Sequence, residues 1–178
     1  SGEDWRDLAH ASDVLCDAPI FIDDSSGLSV AEMKAKIRQL NQDPKRDKIG
    51  LVVVDYLQLM TTGKRTENRV QEISEITRNL KITAKELNVP IIVLSQLSRS
   101  VEKNGSSSRR PQLSDLRDSG SIEQDADAVL FLYREAYYNR QNSEDNQADE
   151  NVAECIVAKN RHGETATVQL GWDGAHTR

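Results

Sequence analysis

The sequence predicts an α/β fold in which helices flank a mostly parallel β-sheet with a C-terminal antiparallel hairpin. Three apolar runs, in "IGLVVVD", "PIIVLS" and "DAVLFLYR", are too continuous for half-exposed strands and are typical of parallel strands covered on both faces. Helical patterns lie between apolar runs, and this alternation is typical of α/β proteins. Near the C-terminus, "ECIVAKN" and "ATVQLGW" flank a turn at Gly163, which would supply a positive φ, and so predict the hairpin.

Helices are predicted in four segments. Apolar residues near helical spacing occur in "EDWRDLAHASDVL", and a short strand is predicted after it in "PIFIDD". The sequence "SVAE", which starts at Ser29, is a capping box that begins a second helix. Residues 66–87 repeat apolar side chains every three or four positions, as in a long amphipathic helix packed on a sheet. The sequence "SIEQ", which starts at Ser121, is a second capping-box pattern and predicts a short helix.

The composition limits the class of protein. A chain of 178 residues is enough for one domain with a buried core. No apolar run approaches the roughly 20 residues that span a bilayer, and the start has no signal-peptide pattern, so a soluble cytoplasmic protein without membrane contact is expected. Cys16 and Cys155 lie far apart in apolar surroundings, which predicts buried, reduced thiols. The net charge of −6 argues against a uniformly basic nucleic-acid-binding surface and leaves a local basic groove open.

The carboxyl ends of the predicted strands are the expected ligand edge of such a sheet. Asp55 ends "LVVVD", as the acid of a Walker B strand does when it holds a carboxylate near the magnesium of a bound nucleotide. Gln96 ends the neighbouring strand, where its amide would read the γ-phosphate. Taken alone, Asp55 is explained equally well by a solvated strand end, and Gln96 is explained better by a glutamine that faces solvent. The other polar residues at these ends are Asp23, Asp24 and Ser95, with charged residues near Arg134 and Lys159.

A nucleotide site also needs a phosphate cradle. The pattern G-x-x-x-x-G-K-[ST] does not occur in the chain. The nearest approach is "TTGKRT", in which Arg65 follows Lys64 and Gln58 stands in place of the first glycine. No strand that carries an obvious water-polarising glutamate precedes Asp55. These residues therefore hold only part of a nucleotide-binding machinery.

Two further groups of residues carry charge near predicted turns. Lys159 and Arg161 lie at the tip of the hairpin, either as solvated turn residues or as cations presented to the phosphates of a neighbouring subunit, as an arginine finger is. Ahead of the third buried strand, "LRDSGSIEQDAD" places Gly120 just before a predicted helix start, where exposed amides would bind phosphate. A capped turn explains the same residues. The nearby acids Glu123, Asp125 and Asp127 are expected to shape and cap this loop.

Four longer stretches together resemble a known family. They are "VVVDYLQLM", "ENRVQEISEITRNLKITAKELNVPIIVLSQLSR", "RRPQLSDLRDSGSIEQDADAVLFLYR" and "AKNRHGETATVQL". They closely resemble the C-terminal motor domain of the bacterial DnaB-type replicative DNA helicases. The resemblance is collinear over nearly the whole chain, and several motifs in the same order make coincidence a poor explanation.

The resemblance implies a RecA-like fold in a ring hexamer that encircles single-stranded DNA and couples hydrolysis of Mg²⁺·ATP to 5′ to 3′ translocation and duplex unwinding. By position, Asp55 resembles the Walker B aspartate and Gln96 the strand-end sensor of the γ-phosphate. Lys159 and Arg161 resemble the cations presented in trans to the adjacent nucleotide. Primase and a helicase loader are implied as partners of the parent protein, within a primosome.

The resemblance also places Arg117, Asp118 and Gly120 on the DNA loop, where backbone amides meet phosphates. Asp118 departs from a glutamate common there. The resemblance therefore implies no side-chain pairing for it, while an amide contact, which does not depend on the length of the acid, is expected to remain.

The family carries its P-loop and catalytic glutamate, and an N-terminal domain, before the region matched here. Residues 1–178 are therefore expected to be a partial RecA-like helicase domain that is inactive as an ATPase alone, with part of its sheet uncovered. Two alternatives are a P-loop-less RecA-like scaffold or interaction module, and a related RecA-type or phage-type ATPase.

Overall fold

The secondary structure alternates between helices and short strands in a computed structural model of the chain. The structure describes residues 2–63, 68–97, 110–137 and 149–176, without the side chains of residues 3 and 117–119. The helices are α1 Gly2–Asp17, α2 Val30–Leu40, α3 Arg69–Leu87 and α4 Gly120–Asp125, with 3₁₀ turns at Leu57–Leu59 and Leu113–Ser119. The strands are β1 Val52–Val54, β2 Ile91–Val93, β3 Ala128–Tyr133, β4 Val152–Asn160 and β5 Ala166–Gly171.

The strands form two small sheets. β1 and β2 are a parallel pair, and β3, β4 and β5 form an antiparallel sheet in that order. The α/β class and the C-terminal hairpin are confirmed. The predicted predominance of parallel pairing is wrong for the described residues, because β3 pairs along its length with β4 and joins no parallel neighbour.

The hairpin turn does not use Gly163 for the positive φ that was predicted. Among the described glycines, only Gly27 and Gly63 have a positive φ. A Cβ at Gly163 would lie 2.6 Å from Nδ2 of Asn160. A residue with a Cβ at this turn would therefore require the Asn160 side chain to shift.

The larger core cluster lies between α2, α3 and the parallel pair. It is built on the apolar stripes of the two helices and on the 3₁₀ turn after β1, and its buried members are Val30, Met33, Ile37, Leu57, Met60, Ile73, Ile76 and Leu80. The capping box at Ser29 is confirmed: Glu32 accepts a hydrogen bond from the Ser29 amide at 2.9 Å, and the Glu32 amide donates to Ser29 Oγ at 3.3 Å. α3 ends at Asn88, whose φ of 51° is left-handed.

A second cluster lies under the antiparallel sheet and contains Leu116, Val129 and Phe131. Ile122 of α4 packs against both clusters. The six-residue helix α4 therefore packs between the core clusters of the two sheets, and a displacement of α4 would disturb the packing of both.

One face of the strands is open: the apolar runs by themselves predicted covering of both faces, whereas a partial domain was expected to leave part of its sheet uncovered. Side chains along β3 alternate between buried and exposed, and Leu132 is 80% exposed. Val53 of β1 and Ile92 of β2 are also exposed. Continuous apolar sequence is typical of a doubly covered strand, but within the described residues only one face has a helical cover.

The N-terminal segment keeps its predicted helix and lacks its predicted strand. α1 forms, with Trp5 and Cys16 exposed, so the expected burial of Cys16 is wrong; Cys155 is half-buried. The "PIFIDD" segment forms no strand, since it makes no ladder with β1 or β2, and Ile22 is exposed. None of the described helices is long and apolar enough to cross a membrane.

Candidate functional site

Asp55 and Gln96 lie at the carboxyl end of the parallel pair. Asp55 follows β1 directly, and Gln96 follows β2 after two intervening residues. The Leu94 amide donates to the Val54 carbonyl at 2.9 Å, and the Leu57 amide donates to the Leu94 carbonyl at 2.8 Å, so the chain on both sides of Asp55 is bound to the β2 segment. Asp55 and Gln96 are both exposed. The structure thus brings these two residues to one edge, where a ligand can reach them.

Gln58 belongs to the same edge and was not predicted to do so. Its Nε2 donates to Ser95 Oγ at 3.1 Å. Its Oε1 is buried without a hydrogen-bond partner among the described residues. Buried acceptors without a partner are rare. The only signal in the sequence was that Gln58 lies three residues after Asp55. This spacing brings the two residues to the same edge only when a tight turn follows the strand.

Lys159 and Arg161 contact the carboxyl end of α4. Lys159 Nζ donates to the Glu123 carbonyl at 2.5 Å. Arg161 Nη2 donates to the Gln124 carbonyl at 3.3 Å, and its Nη1 lies 3.3 Å from Oδ1 of Asp127. The two cations are therefore not simply solvated turn residues, since both are bound by oxygens of the segment that leads into β3.

The charged ends near Arg134 and Lys159 do not share one sheet edge. In the antiparallel register of β3 and β4, Lys159 pairs with Val129 and Glu154 with Tyr133. Lys159 therefore lies at the amino end of β3, whereas Arg134 follows its carboxyl end and its guanidinium lies 4.5 Å from the Trp172 ring centroid. Each lies at the carboxyl end of its own strand, β3 or β4, but the expectation that they share one ligand edge is wrong, because antiparallel pairing reverses β4.

The segment before α4 is capped at a different place from the one predicted. The Gln112 amide donates to Oδ2 of Asp115 at 2.7 Å and caps the 3₁₀ turn Leu113–Ser119. Because that turn runs directly into α4, Ser121 lies inside the helix, and its Oγ is buried without a partner among the described residues. The capping box predicted at Ser121 is therefore wrong.

Gly120 has no structural requirement for glycine. Its φ of −50° and ψ of −20° are ordinary helical values. Among the described residues, a Cβ at Gly120 would meet nothing within 4 Å, and the residue is exposed. The part of the fold that the structure describes therefore does not explain the glycine. The side chain of Arg117, which was predicted to contact DNA, and that of Asp118, whose backbone amide was predicted to do so, lie outside what the structure describes.

The acids of α4 and the residues after it dock this helix onto α3. Thr77 Oγ1 donates to Oδ2 of Asp125 at 2.7 Å, and Lys81 forms an ion pair with Oδ2 of Asp127. The hydrogen bond from Lys81 lowers the pKa of Asp127 below its usual range. Asp125 and Asp127 thus anchor α4 from the side, and the capping role expected for them is not seen.

Arg110 anchors the chain that leads into the 3₁₀ turn. Its Nε and Nη2 donate to the two carboxylate oxygens of Glu154 at 2.8 and 2.7 Å. These hydrogen bonds lower the pKa of Glu154. A two-point Arg–carboxylate contact fixes orientation as well as distance, so Arg110 is held against Glu154 of β4.

The sequence family decides what kind of protein carries this geometry. A model of the DnaB-like helicase C-terminal domain matches residues 1–178. The chain belongs to this family. Its sequence is 50% identical over 177 residues to a probable replicative DNA helicase of Trieres chinensis, and the matched region covers 99% of the chain and 38% of that relative. It is 49% identical over 171 residues to the replicative DNA helicase DnaB of Geobacillus stearothermophilus, covering 96% of the chain and 36% of that relative.

Solved structures agree with the family in fold. A DnaB-like replicative helicase, described together with its interactions with primase, matches with a TM-score of 0.85 and 41% identity over 98% of this chain and 41% of that one. A second solved structure, described as an ATPase domain, matches with a TM-score of 0.87 and 41% identity over 99% of this chain and 59% of that one. The DnaB-like chain thus spans less than two-fifths of the length of the two relatives above.

The described part of this DnaB-like chain can help to hold a nucleotide-bound metal but not a metal alone. None of the described residues form a group of three or more His, Cys, Asp or Glu side chains suited to a metal ion. Asp55 is a single exposed carboxylate. Mg²⁺ in nucleotide sites takes one or two carboxylates plus substrate phosphates, and Asp55 fits that requirement.

Proposed function

We propose that this chain is part of the motor of an ATP-dependent replicative DNA helicase that works as a hexameric ring and moves 5′ to 3′ on single-stranded DNA. The observation that carries the proposal is the exposure of Asp55 and Gln96 at the same end of adjacent parallel strands in a DnaB-like chain. An acid and an amide at that edge suit the recognition of Mg²⁺·ATP. The phosphate-binding loop comes from the rest of the parent protein, so residues 1–178 alone are inactive as an ATPase.

Each proposed site residue has one role at the nucleotide. Asp55 holds the magnesium through the nucleotide, and the Gln96 amide contacts the γ-phosphate or the water beside it. Lys159 and Arg161 act on the nucleotide of the adjacent subunit, where their charge stabilises the transition state of phosphoryl transfer. When bound, Mg²⁺ neutralises developing phosphate charge, and the protein contributes position and a second source of positive charge.

The DNA contact lies at the start of α4. Arg117 and the backbone amides around Asp118 and Gly120 meet DNA phosphates. A Cβ at Gly120 would meet nothing within 4 Å among the described residues, which suits the approach of a phosphate to the backbone. Contacts of this kind carry little sequence preference and strong salt dependence. Ile122 of α4 packs against both core clusters. A change in nucleotide state that shifts the larger cluster would therefore also move α4 and the DNA loop at its start.

The proposed partners follow from the family. One matched helicase is described with its interactions with primase, and we extend primase, a helicase loader and five identical subunits to the parent of this chain. A cytoplasmic location without membrane contact is part of the same proposal.

Mixed rings test whether the site is shared between subunits. In the full-length helicase that carries this chain, Asp55→Ala and Arg161→Ala should each lower DNA-stimulated ATP hydrolysis by roughly 10³-fold or more. Rings mixed from the two variants contain interfaces at which an intact Asp55 meets an intact Arg161, so mixing should restore hydrolysis. Mixing each variant with itself is the control.

Two results would contradict the proposal that the nucleotide site is shared between subunits. Near-normal hydrolysis by the Arg161→Ala protein excludes a role for that cation. No recovery on mixing, with hexamers shown by mass photometry to contain both variants, places both groups in one subunit's site.

A further inference from the structure

Asp127 contacts both α3 and the predicted catalytic cation with separate oxygens. Its Oδ2 pairs with Lys81, whereas its Oδ1 lies 3.3 Å from Nη1 of Arg161. The Arg161 amide also donates to the Asp127 carbonyl at 2.8 Å. Because the two oxygens serve different cations, the contact with Arg161 can be separated experimentally from the contact with Lys81.

Arg161 is held on one side and exposed on the other. Its guanidinium is bound by the Asp127 carboxylate and the Gln124 carbonyl, while the side chain as a whole is 44% exposed to solvent. A guanidinium with two neighbouring oxygens has few orientations left, and an arginine fixed in advance loses less freedom when it meets a phosphate. This is the arrangement that a cation presented to a separate subunit requires.

We propose that Asp127 is a positioning residue that orients Arg161 toward the nucleotide of the neighbouring subunit and couples this cation to the helix that begins at Gly120. The proposal rests on the function proposed above. Asp127 touches no substrate: it acts through Arg161, and α4 connects it to the DNA loop over six residues. DNA contact at Gly120 and presentation of Arg161 therefore change together.

The competing explanation is that Asp127 only docks β3 onto α3 through Lys81. That role predicts the same loss when either partner of the pair is removed. Asp127 is half-exposed, so its ion pairs contribute little to stability, and variants at this position should fold. The two explanations can therefore be compared in a folded enzyme.

The test uses the full-length helicase with Asp127→Asn, Asp127→Glu, Lys81→Met and Arg161→Ala, and it measures kcat and KM for ATP with saturating oligo(dT). Asp127→Asn should lower kcat about 10- to 100-fold with KM nearly unchanged, because a misplaced catalytic group costs rate more than binding. Asp127→Glu should recover part of the lost kcat. Lys81→Met, the matched control, should stay close to the unaltered enzyme.

The outcomes separate this inference from the proposed function. If Arg161→Ala remains active, the proposed site fails and the role of Asp127 fails with it. If Arg161→Ala is inactive while Asp127→Asn keeps its kcat, only the positioning role is overturned. Equal losses from Lys81→Met and Asp127→Asn, a rise in KM without a fall in kcat, or no recovery with Asp127→Glu also overturn it.

Discussion

Replacing Gly120 with alanine should stabilise the fold and weaken DNA binding at the same time. The added Cβ meets nothing within 4 Å, and the φ of −50° suits alanine. Alanine is favoured over glycine at helical positions by about 0.5–1 kcal/mol, chiefly because glycine loses more backbone freedom on folding. The same methyl group occupies the space through which a DNA phosphate is proposed to reach the backbone.

The loss of DNA affinity follows from the strength of one phosphate contact. A hydrogen bond to a charged group contributes about 1.5–3 kcal/mol, so losing one should raise the Kd for oligo(dT) at least about tenfold. No cation is removed, and the slope of log Kd against log salt should stay the same. Arg117→Ala should instead lower that slope, by about 0.7 for one lost phosphate contact on single-stranded DNA.

Fluorescence anisotropy of labelled oligo(dT) over a salt series measures both quantities, and hydrogen exchange of the α4 amides reports local stability. Gly50→Ala is the matched control, because Gly50 is also exposed and its Cβ would also meet nothing within 4 Å. Unchanged affinity in the Gly120→Ala protein would refute the close approach of phosphate to this backbone. A destabilised α4 would refute the argument that the fold does not need the glycine.

Two other predictions concern the isolated fold. The pKa of Glu154 is lowered by Arg110, so their contact stabilises the folded chain at pH values above the ordinary pKa of glutamate and stabilises it less as the pH falls below that value. Arg110→Met should therefore lower the thermal midpoint at neutral pH. If the difference in midpoint between the variant and the unaltered chain persisted unchanged near ~pH 3, this cause would be contradicted. Residues 1–178 alone should self-associate through exposed side chains such as Val53, Ile92 and Leu132. Light scattering should show less association after Leu132→Lys, whereas a monodisperse, cooperatively melting monomer would contradict the prediction.

Local signals in the sequence predicted much of the fold. The capping box at Ser29, the amphipathic pattern of α3 and the hairpin of β4 and β5 are confirmed, because caps, helical periodicity and tight turns depend on neighbours within a few residues. Asp55 at the end of β1 and Gln96 just after β2 follow from the same local reading, since a strand that ends in polar residues places them at its edge.

Contacts between distant segments decided the rest. Whether β3 joins a parallel or an antiparallel sheet depends on which strand lies beside it, and its own apolar run is compatible with both. The reversal of β4 put Lys159 at the amino end of β3, and the 3₁₀ turn that runs into α4 moved the cap from Ser121 to Gln112. The sequence alone determined the family and the residue types available for chemistry. Only the tertiary structure brought Arg161 to Asp127, because ion pairs form between side chains that long-range packing makes neighbours.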